Sequence, residues 1–271
     1  MNYLQIEFKA ISKAESEILV ALLSESGFES FEETEKTLFA YIKEEGFTES
    51  NLQTMLQVVP VKYTISVIPQ QNWNARWEES FEPVIIYDFA AIRAVFHKAI
   101  KDVQHEIIIT PKMSFGTGHH ATTFMMIEQM KDLDLTGKRV LDFGTGTAVL
   151  AILAEKMGAS TIDAIDHDEW SIENSLENAA ANHCKKINLV KAETIATGQL
   201  YDVILANINL NVILHNLQAC KAVSKKGTIL LLSGIMEADQ TSMKDALAAF
   251  GWKHHKTIQK GEWICMLAQM N

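Results

Sequence analysis

The chain has 271 residues, of which 48% are hydrophobic and 21% charged, enough apolar content for the core of one α/β domain and a smaller companion. Its formal net charge of -10 argues against unaided nucleic-acid binding, where Lys and Arg must neutralise phosphates, and suits a basic partner. Cys184, Cys220 and Cys265 are scattered outside any C-x-x-C spacing, which speaks against a disulfide scaffold or a zinc site.

In chain order, residues 3–8 alternate as a strand, with Leu4, Ile6 and Phe8 on one side. Ile18, Leu19, Leu22 and Leu23 then mark an amphipathic helix over 12–26, ending at Gly27. Residues 28–33 and 38–43 read as two strands joined by a polar turn. Leu52, Met55, Leu56 and Val59 repeat at helical spacing until Pro60, and 61–68 is again strand-like. The order β-α-β-β-α-β predicts a ferredoxin-like split unit, which by itself names no function. Pro69 to Asn72 break the pattern. Residues 73–81 predict one short helix with Trp73 and Trp77 on one face, favoured to pack one domain on the other over contacting a substrate.

From about residue 83, strands alternate with helices. The predicted strands are 107–110, 139–143, 161–166, 187–191, 201–207, 227–234, 253–258 and 263–268. This order implies a mostly parallel sheet covered on both faces, with a terminal hairpin around Gly261. The N-terminus has no basic stretch followed by an apolar run. No apolar run approaches the roughly 18 residues of a membrane span, so the chain reads as cytoplasmic.

The chemistry-bearing turn is Asp142-Phe143-Gly144-Thr145-Gly146, between a strand and the helix opening at Val149. Glycines permit a sharp turn and close approach to a ligand, and the helix start offers N–H groups to it. The next strand ends at Asp166, whose carboxylate would accept hydrogen bonds from ribose hydroxyls. A dinucleotide site needs a third glycine where this chain has Val149, so D-x-G-x-G-x-[GA] points to a methyltransferase. Glu193, after the following strand, lies where a group near the adenine is expected, or is a solvated surface acid.

Strand 201–207 opens into Asn207-Ile208-Asn209 in the same crevice. The amide oxygen of Asn207 can accept a hydrogen bond from an attacking nitrogen; its bland alternative is a helix cap, the favoured reading for Asn209. Upstream, Met113-Ser114-Phe115-Gly116-Thr117-Gly118-His119-His120-Ala121-Thr122-Thr123 forms a Gly-rich loop before a helix that Thr122 or Thr123 could cap. No Asp or Cys at ligand spacing joins the paired histidines, which argues against a metal.

Together these segments resemble the ribosomal protein L11 methyltransferase family over nearly the whole chain. The specific parts are 73–83, the 115–123 loop, the 141–146 turn with Asp166, Ala206-Asn207-Ile208 and Leu232-Ser233-Gly234-Ile235. The loop is the most diagnostic; where the family reads F-G-T-G-T-H-P-T-T, this chain has His119 and Ala121. The resemblance implies a class I methyltransferase domain at 83–271 with a Rossmann-like doubly wound sheet. A linker helix at 70–82 and a ferredoxin-like substrate-recognition domain at 1–69 would precede it. It further implies S-adenosylmethionine as methyl donor with no metal, and ribosomal protein L11 as partner. Methyl transfer would go to lysine side chains and the N-terminal α-amine, in a cytoplasmic monomer. Carried over by position, the cofactor contacts are Thr123, Gly144, Asp166 and Asn207; Phe115, Gly146 and Glu193 complete the expected set, with Asn207 also positioning the acceptor. The alternatives are a non-catalytic module docking on a ribosomal protein, and a methyltransferase for a small-molecule or RNA amine.

Overall fold

The computed structural model describes residues 2–68, 81–112 and 114–271. They fall into two compact units, Met1–Ser80 and Phe81–Asn271. The helix expected over 73–81 lies outside the described residues apart from Phe81, which is in neither helix nor strand.

In the first unit the elements are β1 (Tyr3–Lys9), α1 (Lys13–Ser24), β2 (Ser30–Glu33), β3 (Thr37–Lys43), α2 (Glu49–Met55) and β4 (Tyr63–Ile68). The sheet order is β2-β3-β1-β4, and every pairing is antiparallel. Period-two alternation drives it: Leu4, Ile6 and Phe8 of β1 and Leu38, Ala40 and Ile42 of β3 form one core with Leu19, Leu23 and Leu52 from the helices. A capping box starts α1, in which Ser12 Oγ accepts from Glu15 N (3.3 Å) and Glu15 Oε2 from Ser12 N (2.7 Å). Before Pro60, α2 has already given way at Met55 to three-residue turns, Gln57 N donating to Thr54 O and Val58 N to Met55 O.

The second unit opens with a small sheet, β5 (Val84–Ile86), β6 (Ala90–Ala94) and β7 (His105–Ile109), in the order β5-β6-β7. β5 and β6 are additions to the expected pattern, and the strand expected at 107–110 belongs to this sheet instead of the large one. Then follow α3 (Ala121–Met130), β8 (Arg139–Phe143), α4 (Val149–Lys156), β9 (Thr161–Asp166), α5 (Glu169–Ala181), β10 (Ile187–Lys191), β11 (Tyr201–Asn207), α6 (Leu210–Ala222), β12 (Ser224–Met236), α7 (Gln240–Ala249), β13 (Trp252–Lys260) and β14 (Trp263–Met270). The seven-stranded order is β10-β9-β8-β11-β12-β14-β13, parallel except for the pairs made by β14. It is the doubly wound sheet with a terminal hairpin that the sequence predicts.

Both faces are covered, so the inner strands are apolar without interruption. Along β11, Val203 and Leu205 enter one core with α3 and α4, while Ile204 and Ala206 enter the other with α6 and α7. The chain reverses its winding direction between β8 and β11, and crevices at the carboxyl ends of strands form at such a switch.

One polar stripe joins the two sheets. Asn174 and Asn178 on α5 and Asn182 at its C-cap recur every fourth residue, at most 8% exposed. Asn182 accepts from Ile108 N (2.9 Å) and donates to Ile108 O (2.6 Å). Asn178 accepts from Thr110 N (2.7 Å), and Asn174 donates to Thr110 O (3.1 Å). Among the described residues no helix is long and apolar enough to cross a membrane.

Candidate active site

A cleft of about 510 Å³ lies at the carboxyl ends of β8, β9 and β11, lined by the glycine turn, the head of α5, the Ser114 loop and Trp263. Leaving β8, the backbone takes positive φ at Gly144 (76°), Gly146 (57°) and Ala148 (62°). Gly144 N and Thr145 N both donate to Ile165 O (2.9 and 3.0 Å), so the turn is sewn to the end of β9. Ser175 Oγ donates to Gly146 O (2.7 Å) and Asn178 Nδ2 to Thr147 O (2.9 Å), fastening it to α5 as well.

Asp142 lies beneath the turn rather than in the cleft. Its Oδ2 accepts from Thr145 Oγ1 (2.7 Å) and from Ala151 N in the first turn of α4 (3.2 Å), while Oδ1 is buried with no partner. Burial pushes this carboxyl up to about 7, opposed by those two hydrogen bonds. The expectation that the helix start aims N–H groups at a ligand is corrected here: the Ala151 N–H serves Asp142, and residues 147–150 do not line the cleft.

Gly144 and Gly146 do line it, but protein atoms fill the space beside them. A Cβ on Gly144 would collide with the Ile208 side chain, and one on Gly146 with the Phe115 carbonyl. Gly234, at a break in register between β12 and β14, has φ 87°, and its Cβ would strike the Ile208 carbonyl. Two glycines about 90 residues apart in sequence thus form the slot that holds the segment after β11 against the turn.

Asp166 faces the cleft with both oxygens engaged: Oδ2 accepts from Gly146 N (2.9 Å), Oδ1 from Asp168 N (3.1 Å). Its carboxylate is aimed by the turn itself and keeps further lone pairs. Glu193 is exposed, two residues beyond β10, and is not among the cleft-lining residues.

The two asparagines after β11 separate cleanly. Asn209 caps α6, its Oδ1 accepting from Val212 N (3.1 Å). Asn207 faces the cleft; its Nδ2 donates to Thr123 Oγ1 (3.1 Å), which leaves its buried Oδ1 with no partner. Thr123 is fully buried in α3, absent from the lining, and reaches the cleft through Asn207. The cap of α3 is neither Thr122 nor Thr123 but His120, whose Nδ1 accepts from Thr122 N (3.3 Å). Nδ1 also lies 2.8 Å from Thr122 Oγ1, and in the tautomer that accepts from Thr122 N the ring proton is on Nε2.

An aromatic wall completes the cleft. The His120 ring stands edge-on between Phe115 (5.3 Å between centroids) and Trp263 (5.0 Å). Phe115 was expected here. Trp263 was not: it arrives from the terminal hairpin, far along the chain from the turn, and its local sequence is only that of a strand. Ser114 is a further addition, 8% exposed with an unpartnered Oγ beside the cleft. Among the described residues no group of three or more His, Cys, Asp or Glu could hold a metal ion.

Residues 5–271 match the family model described as Ribosomal protein L11 methyltransferase (PrmA). The chain is 40% identical to the ribosomal protein L11 methyltransferase of Porphyromonas gingivalis over 258 residues, covering 92% of this chain and 89% of the relative. It is 38% identical to that of Phocaeicola vulgatus over 278 residues, covering 98% of each. Among solved structures, ribosomal protein L11 methylase from Lactobacillus delbrueckii subsp. bulgaricus superposes with a TM-score of 0.66 at 25% identity, covering 70% of this chain and all of that one.

Proposed function

The chain belongs to the ribosomal protein L11 methyltransferase family, and from that premise we propose that it transfers methyl groups from S-adenosylmethionine to lysine side chains and the N-terminal α-amine of ribosomal protein L11. The observation that supports a nitrogen acceptor is the Asn207 amide. Its donor end is held by Thr123, which leaves the oxygen, buried and without a partner beside the cleft, as the end with acceptor capacity to spare for an amine N–H.

The residues fit the donor. Asp166 has lone pairs for the ribose hydroxyls after its two backbone bonds, and Gly144 and Gly146 shape the surface against which the donor lies, while Phe115, expected as a donor contact, is assigned to the aromatic wall on the acceptor side. Thr123 acts through Asn207. Glu193, outside the lining, is left out of the set. When bound, the donor supplies a methyl carbon made electrophilic by its sulfonium. The protein's part is to hold an amine lone pair in line with that carbon. An α-amine with a pKa near 8 is partly neutral at pH 7, whereas a lysine near 10.4 requires roughly 4 to 5 kcal/mol to deprotonate. Desolvation of the amine against the rings of Phe115 and Trp263 would lower that cost by disfavouring the ammonium form. In the tautomer that caps α3, His120 is no general base: its Nδ1 lone pair serves the cap and its Nε2 already carries a proton. The amine proton therefore leaves to water.

We place the reaction in the cytoplasm, in a single chain. Cys184, Cys220 and Cys265 are unpaired, and burial pushes Cys184 up to about 11 and Cys220 to about 12, which suits reduced, inert thiols. Incubation with labelled donor and total ribosomal proteins should give one small labelled band. Label in RNA or metabolites would support a different amine acceptor, and binding of a ribosomal protein without donor consumption a docking module. Asn207→Ala should lower methyl transfer about 100-fold. Full transfer with unchanged donor affinity would remove Asn207 from the site.

A further inference from the structure

The 114–120 loop carries Phe115 and His120 into the cleft, and most of its length is held by the second unit's own framework. Thr147 N donates to Phe115 O (3.0 Å) and Thr147 Oγ1 to Gly116 O (2.8 Å), fixing its first half on the glycine turn. Gly118 is buried against Val84 and Ile92, where a Cβ would collide with the Ile92 side chain. The end of the loop is the α3 cap. Between these, His119 reaches away from the cleft to the first two residues of the unit. Its Nε2 lies 2.9 Å from Glu82 O, its Nδ1 3.2 Å from Thr117 Oγ1, and its ring stands edge-on to Phe81 at 4.8 Å.

The chemistry of this contact is determined by its partners. A carbonyl only accepts, so Nε2 carries the proton, and in the neutral ring Nδ1 accepts the Thr117 hydroxyl. One imidazole thus spans two segments 37 residues apart in sequence and grips both. Glu82 directly follows Phe81, where the second unit begins.

We propose that His119 is a positioning residue for methyl transfer: it fastens the cleft loop to the chain at the start of the second unit and thereby holds Phe115 and His120 at the acceptor side. This rests on the proposed amine-methylating function. Because the contact is exposed, its loss hands Glu82 O and Thr117 Oγ1 to water, so overall stability changes little while the loop loses its middle fastening. Asp166 and the glycine turn are untouched, so donor binding should survive.

The test uses the full chain and its His119→Ala and His119→Gln variants, with three readouts: kcat and KM for the ribosomal-protein acceptor, donor Kd by calorimetry, and hydrogen exchange, without donor, of the Thr122, Phe124 and Thr147 amides that bond the loop. H119A should lower kcat about fivefold to tenfold, the rate equivalent of one hydrogen bond. Donor Kd should stay within about twofold and these amides should exchange faster by a factor similar to the kcat loss. H119Q, whose amide N–H can reach the Glu82 carbonyl, should recover at least half of both effects. Wild-type kcat and exchange in H119A would overturn the proposal, as would a parallel loss of donor binding. If the wild-type chain labels no ribosomal protein, the acceptor assignment fails instead, and unchanged loop exchange in H119A still decides against His119.

Discussion

On the turn side of the cleft the fastenings are buried: Asp142, Asp166, Ser175 and Asn178 are at most 8% exposed, and each bonds the turn or its flanks. On the loop side Phe115 is 51% exposed and the His119 grip lies at the surface. Buried hydrogen bonds lose their partners only at the cost of stranding polar groups, whereas exposed ones exchange with water at little cost. The difference fits the tasks proposed for the two walls. One receives a small donor of fixed shape, and the other must admit different amines of a protein.

The two walls touch where the Phe115 carbonyl occupies the space beside Gly146, and the largest effect is expected there. Gly146→Ala forces a side chain into positive φ and against that carbonyl, which should cost about 2 to 5 kcal/mol of stability and most donor binding. Denaturant titration with calorimetry checks this; normal binding would mean the walls are not in register as described. Asn178→Ala strands Thr110 N and Thr147 O, loosening the turn and the small sheet together, and should cost about 2 to 4 kcal/mol. An unchanged denaturation midpoint would show that the stripe contributes nothing.

Asp142→Asn acts on the turn side alone. The folded-state pKa is raised from 3.8 to about 7, so this group's contribution is fully present below pH 3.8 and lost as pH rises to about 7. Relative to wild type, the asparagine variant should remove a downward slope of stability across that window; parallel pH profiles would count against a buried, proton-binding carboxyl. The smallest change is on the loop side. Phe115→Ala should alter stability by less than about 0.5 kcal/mol while raising acceptor KM about threefold. A large stability loss would make the loop as structural as the turn.

Much of this organisation was legible in the sequence. Alternation announced β1 and β3, the apolar runs gave the doubly wound sheet, and D-x-G-x-G marked the turn beside Asp166. What stayed hidden depended on contacts across the chain. β5 and β6 are short, and three of the five β6 residues are alanine, so β-branched patterning is weak. His120 caps α3 although histidine is not among the favoured capping residues. Asn207 and Asn209 are alike as local signals, and only the Thr123 bond and the Val212 bond tell them apart. The slot for Ile208 needs Gly144 and Gly234 at once, which no local window contains. Trp263 joins the cleft solely through the return of β14.

The asparagine stripe on α5 also has a meaning for the chain's behaviour in a crowded solution. Four residues along a helix advance about 6.0 Å, and two along a strand about 6.6 Å. Asn182 and Asn178 therefore meet Ile108 and Thr110 in step, offering amide donors and acceptors where a neighbouring strand would have placed its own. The outer margin of β7 is consequently not a template onto which a foreign chain can add. A helix has taken the seat of the missing strand, and self-association through that margin is closed off by three amides.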